Sequence, residues 1–241
     1  GSLLFSPIGQ AGVGETGADE RGMLLVSERH TENLSHYANN DVKKQEITSY
    51  QIDYDADGTL QREVINYQEI SYREYYNHNA VNQEIKTYDT DDAATQELIE
   101  VQEMRSEGGF WSSGVARKQI IATLAEGEVA GVWDNVVEVR LVSNDVVDSR
   151  GNVLESRTTI NGNCVINDNA ELEGDLDGDI EYVTVTINGQ EMIVAMDPWE
   201  YQETTSVYDD RNRAVEQNIE KWFNDEGVWV KSERQHMEMK N

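Results

Sequence analysis

Tyr54-Asp55-Ala56-Asp57-Gly58-Thr59-Leu60 is the stretch on which the reading of this chain turns. Val147-Asp148-Ser149-Arg150-Gly151-Asn152-Val153 and Phe223-Asn224-Asp225-Glu226-Gly227-Val228-Trp229 repeat its logic closely. Tyr76-Asn77-His78-Asn79-Ala80-Val81 and Tyr208-Asp209-Asp210-Arg211-Asn212-Arg213-Ala214 repeat it without the glycine. Each unit runs from a strand-forming residue into Asp or Asn, through a short polar run, and back to strand-like sequence. Asp and Asn side chains bond their own backbone in turns, and Gly and Asn tolerate positive φ. The units therefore predict β-hairpin turns, and the sequence between them predicts the strands that those turns join.

Working outward, 44–88 alternates polar residues with Ile47, Tyr50, Ile52, Val64, Tyr67, Ile70 and Tyr72, which predicts an antiparallel meander with one wet face. The clearest hairpin is 180–196, where β-branched alternation surrounds Asn188-Gly189, a pair suited to a type I′ turn. Gly108-Gly109 reads as a further turn. Three places read as helix. Asp91 and Asp92 can cap a short one over 91–101, and 116–125 has no turn former inside and Gly127 just beyond it. Val215, Ile219 and Trp222 also align at helical spacing. The expected fold is mainly β, an extended antiparallel sheet or open half barrel of long hairpins with one or two short helices. Residues 1–22 are expected to be a flexible N-terminal segment. Residues 23–241 are expected to form one mainly β domain, divisible into halves 23–127 and 128–241.

With 19 Lys and Arg against 47 Asp and Glu, the net charge is -28. A field of that sign repels phosphate backbones and anionic lipid headgroups, so nucleic acid is not an expected partner. Cations, basic protein surfaces or a polysaccharide are the expected ones. No run of about 18 apolar residues occurs, so no membrane insertion by helices is expected. Gly1-Ser2 resembles a tag remnant, and the expected location is secreted, periplasmic or at the cell surface, with a signal segment removed ahead of residue 3. Cys164 is the single cysteine, which rules out an internal disulfide.

Calcium is the one cofactor with a spacing signal. Asp53, Asp55 and Asp57 with Gly58 form D-x-D-x-D-G, the first half of a calcium loop, in which Thr59 offers its carbonyl at position 7 and Gln61 its side chain at position 9. Position 12 is Val64 where a helix-loop-helix site needs Glu, so the expectation is a strand-loop-strand site or a plain acidic turn. That loop resembles those of integrin-type β-propellers. Asp175, Asp177 and Asp179, with Glu173, form a second acidic group that can hold a cation or lie solvated. His30 and His36 lack the spacing of a zinc helix. Gly12-Val13-Gly14-Glu15-Thr16-Gly17 matches a dinucleotide fingerprint but lacks the βαβ context that gives the match meaning. No catalytic residues stand out: carboxylate pairs fit glycoside hydrolysis at many positions, and no nucleophile or phosphate-loop motif is present. Trp111, Trp199 and Trp229 can stack on sugar rings if exposed.

The five turn units resemble the tyrosine-aspartate hairpins of bacterial secreted and surface proteins, in which Y-D-x-x-G recurs between strands. The arginine common after that glycine is replaced by Thr59, Asn152 and Val228. The resemblance implies a bacterial envelope or secreted origin. The expected function is a non-catalytic binding or structural β-sheet module. A calcium-dependent carbohydrate-binding module, a carboxylate glycoside hydrolase and a periplasmic carrier of hydrophobic ligands stand as alternatives.

Overall fold

The computed structural model describes residues 2–7, 23–167 and 181–238. Thirteen strands follow one another: β1 (Ser2–Pro7), β2 (Met23–His36), β3 (Val42–Tyr54), β4 (Leu60–Tyr76), β5 (Asn79–Tyr88), β6 (Leu98–Phe110), β7 (Ala116–Glu126), β8 (Trp133–Val147), β9 (Val153–Asn167), β10 (Glu181–Ile187), β11 (Gln190–Tyr208), β12 (Ala214–Asp225) and β13 (Val228–Glu238). Neighbours in sequence are neighbours in the sheet from β1 to β9, then β11, β12 and β13, while β10 pairs with β11 off that path. The order has two ends, so the antiparallel sheet is not closed into a barrel.

The turn chemistry explains the meander. Five loops, 37–41, 55–59, 111–115, 148–152 and 209–213, share one geometry. In each, the first N–H donates to the fifth carbonyl and the fourth N–H to the first carbonyl, all at 2.8–3.1 Å. The fourth residue is always left-handed: Asn40, Gly58, Gly114, Gly151 and Asn212 have φ between 59° and 88°. This is a type I turn closed by a left-handed residue, a loop whose twist suits antiparallel strands. Asn77-His78, Asn188-Gly189 and Glu226-Gly227 are instead two-residue turns with positive φ at both positions, as type I′ requires. Gly108 and Gly109 are not a turn. They lie inside β6 at positive φ, and the turn follows at 111–115.

The expected helices are absent among the described residues. Over 116–125 the chain is β7, with Ala116, Ile120, Ala122 and Leu124 buried on one face. That period of two and the ladder to β8 override a modest helix propensity. Val215, Ile219 and Trp222 lie in β12, which is paired on both sides. Asp92 does cap a turn, its Oδ1 accepting the Ala94 N–H at 3.0 Å, but the chain leaves it at once for β6.

The chain divides into two compact units, residues 1–72 with 85–101, and residues 73–84 with 102–241. In the first, Ile47, Ile52, Ile70 and Val101 are buried. The Tyr37 hydroxyl donates to the Tyr72 carbonyl at 2.7 Å, and Arg62 pairs with Glu28 at 2.6 Å. In the second, the buried apolar residues come from β7 and β8 (Ala122, Leu124, Val136, Val139) and from the β10–β11 hairpin (Val185, Ile187, Val194, Met196). The hairpin lies against the sheet, where Asn82 Nδ2 donates to Thr186 Oγ1 at 2.7 Å and Arg105 pairs with Glu191.

Candidate functional site

The loop suspected of holding calcium is an ordinary member of the turn set. Asp55 opens it and accepts a hydrogen bond from Gln61 Nε2 at 2.8 Å, while Asp57 Oδ1 accepts the Thr59 N–H at 3.3 Å. Asp53 belongs to the β3 ladder, opposite Gln61. Two of the three carboxylates thus serve the hairpin's own donors. Among the described residues no group of three or more His, Cys, Asp or Glu is arranged to hold a metal ion. Asp175, Asp177, Asp179 and the 12–17 glycine motif lie outside the described residues. His30 and His36 both lie on β2, the first with its ring 5.3 Å from that of Tyr50 and its Nε2 against Glu28.

Strand register assembles a different site. Lys118, Ser143, Arg157 and Glu203 lie opposite one another across β7, β8, β9 and β11, and so do Ile120, Leu141, Thr159 and Tyr201 one rung along. The second rung continues through Trp222 on β12 to Lys231 on β13. Residues directly opposite share a face, and so do residues two apart. These groups therefore form one surface. The β7–β9 members of the two rungs, Tyr201 and Tyr182–Thr184 of β10 line a cleft of about 450 Å³. That lies within the size range of ligand sites.

The cleft's arginine and tyrosine are partnered. Arg157 holds Asp145 through two hydrogen bonds, at 2.6 and 2.7 Å, a pair that raises the guanidinium and lowers the carboxyl from their ordinary values. Tyr201 donates to Glu203 Oε1 at 2.7 Å, and partial burial followed by that bond pushes its phenol up to about 12, so it stays neutral. Beyond the cleft, the Tyr201 and Trp222 ring centroids are 5.4 Å apart, and Trp229 stands edge-on to Tyr201 at 6.0 Å. Lys231 Nζ lies 5.4 Å from the centre of Trp222.

The three suspected tryptophans separate. Trp111 has Arg117 over its ring at 4.1 Å and donates its Nε1–H to the Asn144 carbonyl. Trp199 stacks on Phe223 at 5.6 Å, and because Phe223 adjoins Trp222 in a strand, that pair occupies the opposite face. Trp229 alone joins the cleft's face. Lys118, Arg157 and Tyr201 carry no motif. The hairpin turn at 148–152 sets Val147 opposite Val153, and after two offsetting register shifts Ser143 faces Arg157 and Leu141 faces Thr159, while Lys118 and Tyr201 are reached only through the β7–β8 and β9–β11 ladders.

A second polar centre lies on β4–β6. Glu103, buried, accepts two hydrogen bonds from Arg73 and one from the Asn188 N–H, while Arg73 also reaches Glu84 at 3.0 Å. Burial pushes Glu103 up to about 7 against these bonds. It ties the tip of the β10–β11 hairpin to β6.

No family model matches the chain, and no curated protein does.

Proposed function

We propose that the chain is a non-catalytic binding module of the secreted or cell-envelope space, holding an extended polysaccharide on one face of its sheet. The carrying observation is the continuous surface from the 450 Å³ cleft across Tyr201, Trp222 and Trp229. Aromatic rings along a sheet face offer large apolar surfaces, with a polar handle on Tyr and Trp, to the C–H faces of sugar rings. Rigid turns favour this use, because a surface held in one shape loses little entropy on binding.

Retention of the protein in native gels containing soluble polysaccharides, run beside a reducing-sugar assay, tests the reading. Retardation without release of reducing ends is the expected result. Migration unchanged on every polysaccharide refutes the module, and released reducing ends turn it into a hydrolase.

A further inference from the structure

We infer that the polymer is a neutral, linear polysaccharide whose chain enters the Lys118–Arg157 cleft and runs across the strands over Tyr201, Trp222 and Trp229. The inference rests on the binding-module reading and adds a chemical class, a direction and a face.

Direction comes from the ladder. The rung Ile120–Leu141–Thr159–Tyr201–Trp222 runs perpendicular to the strands and crosses β7, β8, β9, β11 and β12. Neighbouring strands are about 4.8 Å apart, close to the advance of one β-linked hexose, so each strand crossed can offer one sugar a subsite. Inside the cleft, apolar Ile120 and Leu141 stand beside polar Ser143, Arg157 and Thr159. Past the cleft the surface is aromatic. A sugar has the same two-sided character, with C–H bonds on its ring faces and hydroxyls around its rim.

The ligand's neutrality comes from charge. Arg157 is held by Asp145, and Tyr201 is engaged with Glu203. A partnered Arg–Asp pair still has N–H donors and carboxylate lone pairs at its edge, which suit vicinal hydroxyls. Lys118 and Arg157 are the cleft's exposed cations, but Asp145 holds Arg157, Glu107 lines the same cleft and Glu203 adjoins it on the Lys118 rung. With a net charge of -28 around it, a polyuronate is repelled at long range and meets no surplus cation on arrival.

Calorimetric titration of the whole chain with a mixed-linkage β-glucan, a galactomannan and polygalacturonate tests this, with Trp222→Ala, Lys118→Ala and Trp199→Ala as variants. At least one neutral polymer is expected to bind, polygalacturonate is not, and added salt should leave the affinity within twofold. Trp222→Ala should weaken binding tenfold or more and Lys118→Ala several-fold, whereas Trp199→Ala, on the opposite face, should leave it unchanged. Lys118 is exposed, so its variant carries the test if Trp222→Ala unfolds. Neutral-polymer binding that survives Lys118→Ala and Trp222→Ala, or is lost with Trp199→Ala, overturns the inference and leaves the module standing. Binding of polygalacturonate alone overturns it too. Absence of binding to all three polymers refutes the inference, and the gel survey over a wider set then decides the module.

Discussion

Arg73 closes two hydrogen bonds on Glu103, at 2.5 and 2.9 Å, and the same carboxylate takes the N–H of Asn188 at the tip of the β10–β11 hairpin. One ion pair, buried at Glu103 and half-buried at Arg73, thus joins β4, β6 and a turn more than eighty residues further along. Removing one partner of such a pair leaves a buried charge uncompensated, which costs about 3–5 kcal/mol. Arg73→Met should lower stability by that amount in urea unfolding. Glu103→Gln, which keeps the shape and removes the charge, should cost much less.

The same carboxyl makes stability depend on pH. Burial raises Glu103 from 4.5 to about 7 in the folded chain. A raised folded value means that its contribution is complete below about pH 4.5 and is lost as pH rises through about 7. The melting temperature of the wild type relative to Glu103→Gln should therefore fall across that window. A flat difference would show that the Arg73 bonds cancel burial, and a rise that they outweigh it.

Asp148 predicts the opposite slope. Its carboxylate accepts the Asn152 side-chain N–H at 2.8 Å, the Asn152 backbone N–H and the Arg150 backbone N–H, which together draw it down from 3.8 to about 2. The stabilisation is present above about pH 3.8 and fades as pH falls through about 2. Asp148→Ala should melt below the wild type near neutrality, and thermal scans of the two should converge between pH 4 and 2.

Gly151 has φ 88°, and a Cβ added there would meet Ser113 at 3.5 Å, ordinary contact. The cost of Gly151→Ala is therefore backbone strain, about 1–2 kcal/mol. Asn212 holds the equivalent position at φ 59°, so Asn212→Gly adds no strain and should cost only the bond its Oδ1 accepts from Asn152 Nδ2 at 3.1 Å, about 0.5–1.5 kcal/mol. Denaturant midpoints of the two variants check the shared turn.

In β7, Leu124 is 2 % exposed and Ala122 0 %. Leu124→Ala should cost about 2–5 kcal/mol. Ala122→Lys should abolish cooperative unfolding while Thr123→Lys is tolerated. A helix would put 122 on the far side from 120 and 124, whereas a strand buries all three together, so the contrast with 123, read by circular dichroism during denaturation, reports the strand.

The sequence by itself determined the turns. Asp or Asn at the start and Gly or Asn at the left-handed position are local chemistry, legible at 55–59, 148–152 and 209–213 without any fold in view. From those turns follow antiparallel strands and, near each turn, their register. Tertiary structure alone decided the state of 116–125 and 215–222, because a ladder on a neighbouring strand outweighs a few tenths of a kcal/mol per residue of helix propensity. It also set the side-chain bonds of the Asp53–Asp57 hairpin, in which Asp55 and Asp57 accept the loop's own donors. It also brought Lys118, Arg157, Tyr201 and Trp222 to one face, across β7, β9, β11 and β12. Residues that far apart meet only when every intervening register is set and the β10–β11 hairpin has been laid against the sheet, and no local pattern in the chain encodes that sum.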